Sequence, residues 1–109
     1  MSIKSTIINA LKLYVPVAFH HYTGSETTYI TFFTYNERSG LIADDDEKST
    51  IYSIQIDLYS KGNLETLEKQ VKDALKKHGF RRTWGMELYD ISTKTYRKNL
   101  SFRLNKPVE

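Results

Sequence analysis

The clearest pattern of apolar and polar positions runs from Ile51 to Phe80, where one residue period gives way to another. In its first part, apolar side chains occupy every second position: Tyr52, Ile54, Ile56 and Leu58. After Gly62 they recur at steps of three and four: Leu64, Leu67, Val71, Ala74 and Leu75. The pattern therefore predicts a strand buried on one face, followed by an amphipathic helix that lies on that face.

The residues that flank this helix carry the signals of a helix start and a helix end. The side-chain oxygen of Asn63 can accept a hydrogen bond from the first turn. Gly79 follows the last helical positions, where a chain usually leaves through a left-handed conformation that glycine adopts without strain. We therefore expect the helix to begin close to Asn63 and to end just before Gly79.

The chain opens with a second helical pattern. Its apolar residues share one face: Ile3, Ile7, Leu11 and Tyr14. Ser2 or Ser5 can cap this helix, and it should end before Pro16, which disfavours helical geometry in the preceding residue. The next residues, Val17 to Tyr22, suit either a short strand or a connector.

His20 and His21 raise the question of a metal site. Adjacent side chains of a strand point to opposite faces, and no third ligand stands at a useful spacing. We therefore expect both histidines to occupy ordinary packing or surface positions.

The segment from Thr27 to Tyr35 is rich in β-branched and aromatic residues, which is typical of a strand. Large side chains fall on both of its faces, with Tyr29, Phe33 and Tyr35 on one. Both faces should thus be covered, or one should meet another subunit. Such rings can also stack nucleic-acid bases, but no Arg or Lys flanks them within the segment.

Residues 36 to 50 break every periodicity and are longer than most connections in a compact domain. We expect a mobile, solvated loop here, with Leu41 and Ile42 as its only large apolar residues. A cation site is disfavoured, because adjacent carboxylates splay apart and the turn glycine of a calcium loop is missing. The carboxylates concerned form one acidic run: Asp44, Asp45, Asp46 and Glu47.

Beyond the central helix, two alternating segments surround a turn at Asp90 to Lys94 and predict a β-hairpin. In the first segment Trp84 shares a face with Phe80, so we expect Trp84 to lie in the core against the helix. The fold class that follows is α+β. It has a mostly antiparallel sheet of about four strands with two helices on one face, in the order α-β-(long loop)-β-α-β-β.

Composition adds few constraints. The 109 residues suit a single domain spanning 1–109, and 16 basic against 13 acidic residues give a net charge of +3 without a strong field of one sign. The absence of cysteine excludes thiolate chemistry, and the polar N-terminal segment predicts neither a signal peptide nor a membrane span. Since no catalytic or phosphate-binding motif occurs, we expect a soluble intracellular protein that is not an enzyme and needs no cofactor or metal.

The C-terminal half resembles the small tail-completion proteins of long-tailed phages and prophages, also called tail terminators or head-tail joining proteins. Their usual pattern is an alternating strand ending near Q-I-D-x-[WY], a helix, and a hairpin of the type E-x-Y-D, turn, Y-[RH]-[KR]-x-[LI]-x-[FY]-[RK]. The matching positions are Gln55, Ile56, Asp57, Tyr59, Glu87, Tyr89, Asp90, Tyr96, Arg97, Lys98, Leu100, Phe102 and Arg103. The opening helix and the aromatic strand match more loosely.

The resemblance implies a structural protein that closes the head-proximal end of a tail tube as a ring of six copies. Its partners would be further copies of itself, the tube protein and a neck protein, with DNA passing through unbound. It would lie in the host cytoplasm during assembly and in the virion afterwards. The residues expected to meet a partner are Tyr29, Phe33, Tyr35, Leu41, Ile42 and the acidic run Asp44 to Glu47. The alternative is a nucleic-acid-binding α/β module that uses the sheet aromatics with Arg81, Arg82, Arg97 and Arg103.

Overall fold

The computed structural model describes residues 2–43 and 46–107. Two helices and five strands follow one another along this part of the chain. Their bounds are α1 (Ile3–Leu11), β1 (Val17–Phe19), β2 (Tyr29–Ala43), β3 (Asp46–Ser60), α2 (Glu65–Lys76), β4 (Arg81–Asp90) and β5 (Thr95–Pro107). No described helix is long and apolar enough to cross a bilayer.

The five strands form one sheet in the order β1-β2-β3-β5-β4. Only β1 and β2 pair in parallel, and every other pair is antiparallel. This confirms the α+β class and the mostly antiparallel sheet. The segment whose structure the sequence left open contributes the short strand β1, so the sheet has five strands.

The core lies between one face of the sheet and both helices. The stripe predicted for α2 is buried, as are the alternating residues of β3 from Ile54 to Leu58, and Ile7 and Leu11 of α1 complete the cluster. The cluster contains 15 buried apolar residues, and burying each Val, Leu, Ile or Phe side chain contributes about 1.5–3 kcal/mol, which is the main stabilising term. The helices therefore cover one face of the sheet and leave the other without a layer.

The predicted helix signals are confirmed. Ser2 Oγ accepts a hydrogen bond from the Ser5 N–H at 3.1 Å, and Asn63 Oδ1 accepts one from the Glu65 N–H at 2.7 Å. Gly79 leaves α2 with φ of +87°, in the region that L-residues adopt only with strain. The starts of both helices and the end of α2 thus follow from local chemistry, whereas α1 already ends at Leu11, well before Pro16.

The prediction of a loop over residues 36–50 is wrong for its described residues. Strand β2 continues to Ala43, and β3 begins at Asp46, so the segment forms the far end of a long β-hairpin. β5 reaches it too, since Ser49 pairs with Pro107. Asp44 and Asp45 lie outside the described residues.

The hairpin escaped prediction because its β2 strand has no buried face from Thr34 to Gly40. All residues from Thr34 to Gly40 are exposed, so no apolar alternation marks them as a strand. Register shifts at Tyr35, Gly40 and Lys48 disturb the period further. The hairpin contributes to an elongated molecule with extents of 53 × 23 × 23 Å.

The prediction that Trp84 packs against the helix is also wrong, since 48% of its surface is exposed. A β-bulge at Thr83 is the cause. Arg82 pairs with Phe102, but Trp84 pairs with the next residue, Ser101. Because side chains alternate between faces, one extra residue moves every later side chain of β4 to the opposite face.

Candidate assembly surface

The sheet face that carries no helix is the candidate functional site, and we call it the open face. Residues that pair across neighbouring strands point to the same side of the sheet, so the pairing identifies the members of this face. From β2 it includes Tyr29, Thr31, Phe33 and Tyr35, and from β3 Ser53, Gln55, Asp57 and Tyr59. From β5 it includes Arg97, Asn99, Ser101 and Arg103, and from β4 Trp84, Met86 and Leu88.

Three tyrosines stack in a row on the open face. Tyr22, from the connection between β1 and β2, lies 4.4 Å from Tyr29, and Tyr29 lies 4.5 Å from Tyr59, measured between ring centroids. The Arg97 guanidinium continues the row at 5.3 Å from the centre of the Tyr59 ring. Burial, followed by the nearby Tyr59 hydroxyl, raises the pKa of Tyr29. Tyr29 therefore stays neutral as a packing side chain well above neutral pH.

Beside this row lies a buried carboxylate. Asp57 is only 3% exposed although no helix covers it, because its neighbours on the sheet close over it. Arg97 Nη2 lies 3.3 Å from Asp57 Oδ2, and Gln55 Nε2 donates to Asp57 Oδ1 at 2.9 Å. The carboxylate therefore has a charged partner and an amide partner, as burial of a charge requires.

The edge strand β4 carries an apolar row on the same face. Trp84, Met86 and Leu88 are each exposed over two-fifths of their surface or more. Next to Leu88, a cleft of about 510 Å³ opens between the end of β4 and the tyrosine row, with Tyr29, Tyr59 and Arg97 in its wall. An exposed apolar row beside a polar rim is typical of a protein interaction surface.

The structure brings some of the predicted interface residues together. Tyr29, Phe33 and Tyr35 all lie on the open face, and Tyr35 Oη lies 2.6 Å from Ser101 Oγ. Leu41 and Ile42 belong to β2 at the far end of the hairpin, and Asp46 and Glu47 belong to β3. The backbone therefore places these four residues at the far end of the hairpin, apart from the three aromatic residues.

The His20 side chain packs against aromatic rings, and His21 is exposed. The His20 ring lies 4.1 Å from Phe19 and 5.8 Å from Phe33 between centroids, and His20 has φ of +66° where the chain leaves β1. Among the side chains that the structure describes, which leave out residues 41–47, no group of three His, Asp or Glu could hold a metal ion.

Sequence reasoning missed two parts of this surface. The apolar row of β4 was visible as an alternation but was assigned to the core, because no sequence signal marks the bulge at Thr83. The pairing of Asp57 with Arg97 joins residues 40 positions apart. One signal was available in the sequence: Asp57 and Arg97 each occupy the alternating positions of their strands that do not face the core.

Four of the residues that carry the resemblance to tail-completion proteins form a chain of contacts. Gln55 and Arg97 both contact Asp57, and the Arg97 guanidinium also lies over the Tyr59 ring. They lie on the open face and not in the core. The shared pattern therefore describes a surface as well as a fold.

Comparison with known proteins finds a likeness of fold. No protein-family model matches the sequence, and no curated protein matches it. Among solved structures, one chain of a particle described as "Virion of native gene transfer agent (GTA) particle" has a TM-score of 0.67 at 12% sequence identity. The match covers 98% of this chain and 96% of that chain. Both chains thus share one fold over nearly their whole lengths.

Proposed function

We propose that this protein is a structural component of a phage-type virion that closes the head-proximal end of a tail tube as a ring of six copies and joins the tube to the neck. The observation that carries the proposal is the end-to-end likeness of fold to a chain of a gene transfer agent virion. The resemblance of residues 51–104 to tail-completion proteins supports it independently, since that resemblance rests on sequence alone.

The shape and surface of the molecule suit such a role. A 53 Å long molecule with a projecting hairpin can reach beyond its own core to a neighbour. The open face offers apolar area in Trp84, Met86 and Leu88. Contacts that repeat head to tail around a closing rotation generate a ring. The role requires no catalysis, cofactor or metal, and its partners are further copies, the tube protein and a neck protein.

The proposal is tested in a strain that produces particles and in which this chain is supplied from a plasmid. Without the chain, we expect tails that fail to join heads in electron micrographs. Leu41→Ser with Ile42→Ser should change the free energy of unfolding by no more than about 0.5 kcal/mol, as surface substitutions usually do. The same variant should reduce the fraction of joined particles severely, because these residues are proposed to anchor a subunit contact.

A matched control uses the same residue types elsewhere on the surface. Leu13 and Ile91 are 79% and 81% exposed, and they lie after α1 and in the turn between β4 and β5, outside the far end of the hairpin. Leu13→Ser with Ile91→Ser should leave joining intact. Normal joined particles in the absence of the chain would refute the proposed function.

A further inference from the structure

The edge strand β4 is exposed along its whole length. All ten of its residues, from Arg81 to Asp90, are exposed, and its outer edge faces no other strand in the described part of the chain. Trp84, Met86 and Leu88 nevertheless present apolar side chains on the open face. An apolar strand with a long free edge readily accepts a strand from another chain.

The charges of β4 are divided between its two ends. Arg81 and Arg82 begin the strand, and Glu87 and Asp90 lie in its last part. In the described chain, Arg81, Arg82 and Glu87 form no side-chain hydrogen bond or ion pair. A second copy that runs antiparallel would place an acidic end beside each basic end, so the strand is complementary to itself in charge.

The pairing of β4 with β5 shows which residues of two such copies would face each other. β4 has nine positions in that ladder, because the bulge residue Thr83 has none of its own, and the fifth position is Met86. A half-turn about an axis through Met86, perpendicular to the sheet, pairs the first position with the last. This register uses the whole strand of both copies and keeps their open faces on the same side.

On the open face, this register matches charge with charge and apolar with apolar. Arg81 lies opposite Asp90 of the second copy. Trp84 lies opposite Leu88, and Met86 lies opposite Met86 itself. Opposite charges and apolar side chains in directly facing positions stabilise adjacent strands. The exposed apolar residues of the two copies thus form one continuous row.

The other face adds a second match of charges. Arg82 Nη1 lies 3.6 Å from the point where a Cβ on Gly85 would stand, so the guanidinium reaches over Gly85. In the same register, Gly85 lies opposite Glu87 of the second copy. The Arg82 guanidinium and the Glu87 carboxylate therefore face each other across the two strands, with no side chain on Gly85 to separate them.

We propose that β4 pairs edge to edge with β4 of a second copy, antiparallel and centred on Met86, and that this contact forms a dimer of the free chain. The sheet then continues from one copy into the other. This inference goes beyond the proposed ring, because neighbours in a ring of six are related by a sixth of a turn and not by a half-turn. The dimer is a state of the chain outside that ring.

Introduced cysteines test the register directly, because the chain has none of its own. Met86→Cys places two thiols opposite each other, within the span of roughly 4.4–6.8 Å between Cα atoms that a disulfide requires. We expect a covalent dimer in a glutathione redox buffer, visible on a non-reducing gel.

Leu88→Cys is the matched control, since Leu88 is similarly exposed on the same face. Its two thiols would lie four positions apart, about 13 Å at 3.3 Å per residue, which is too far for a disulfide. Trp84→Cys alone has the same spacing. Neither variant should cross-link by itself, but a mixture of the two should, because Trp84 lies opposite Leu88.

Charge reversal tests the ion pairs without a covalent link. Arg82→Glu brings like charges together at both ends of the dimer, and so does Glu87→Arg. Each variant alone should weaken self-association in sedimentation equilibrium about tenfold. Mixing them should restore it, because the new carboxylate meets the new guanidinium at one end and the original pair forms at the other. Lys69→Glu, on the exposed side of α2, should associate like the original protein.

Restoration on mixing also shows that both charge variants are folded. The pairing is overturned if Met86→Cys does not cross-link, if Leu88→Cys alone cross-links equally well, or if mixing restores nothing. It is also overturned if the original protein stays monomeric up to about 1 mM, where even a weak contact would be visible. The proposed function is judged separately, by the joining of tails to heads, so either proposal can fail while the other stands.

Discussion

Asp57 shows how single residues give the open face its character. It is the only charged residue of the described chain that is almost fully buried. Its partners come from its own strand and from β5, so the charge holds two strands in register on the side that no helix covers. The open face is therefore ordered by polar contacts, while the opposite face is ordered by apolar packing.

The exposure of Trp84 can be tested by its effect on stability. Because nearly half of its surface is exposed, Trp84→Ala should lower the free energy of unfolding in urea by no more than about 1 kcal/mol. Phe102→Ala is the control, since Phe102 is 1% exposed and its truncation should cost about 3–5 kcal/mol. A loss of that size for Trp84→Ala would mean that the ring is packed in the core.

At the scale of elements, β3 is the strand on which the others depend. It pairs with β2 from Asp46 to Tyr59 and with β5 from Ser49 to Ser60. Lys98 of β5 also contacts Glu68 of α2 at 3.2 Å, which links sheet and helix. Burial alone would raise the pKa of Glu68, but hydrogen bonds from Lys72 and Lys98 outweigh it and lower the pKa.

Amide exchange in the free protein tests the hairpin. Ile51 and Tyr52 lie between β2 and β5, so their amides should exchange slowly, because exchange requires opening of a sheet with partners on both sides. The irregular residues 23–28 are the internal reference and should exchange fast. Equal rates in the two segments would show that the far end of the hairpin does not form in the isolated chain.

At the scale of the whole molecule, the open face has two features that also occur in nucleic-acid-binding sheets. It carries a row of stacked tyrosines, and Arg97 and Arg103 lie on it. Yet Arg97 is paired with Asp57, and the net charge of the chain is only +3. Arg97 therefore contributes more to order within the face than to a strong positive field.

Titration with single-stranded oligonucleotide at two salt concentrations distinguishes a ring protein from a nucleic-acid-binding module. A ring protein of this charge should bind weakly, with little dependence on salt. A phosphate-binding module should lose affinity steeply as salt rises, by roughly 0.7 log units per log unit of salt for each neutralised phosphate. Tight, strongly salt-dependent binding that Tyr59→Ala abolishes would favour the nucleic-acid module over the tail ring.

The sequence by itself determined the parts of the protein that have one buried face. The alternation in β3, the stripe in α2, the cap at Asn63 and the exit at Gly79 all predict what the structure contains, because burial and capping leave a local pattern. The α+β class followed from the order of these elements. The sequence also contained the residues that resemble those of tail-completion proteins, but it did not show that Gln55 and Arg97 contact Asp57.

Only the tertiary structure decided which face each part of β4 presents and how far the hairpin extends. One bulge residue at Thr83 turns Trp84 from the core to the open face, and the sequence does not show where a ladder skips a residue. The part of β2 beyond Thr34 becomes strand because β3 pairs along it, and β5 pairs in turn with β3 from Ser49 onward. Pairing between distant strands supplies backbone hydrogen bonds that leave no apolar period, so a local pattern cannot reveal it.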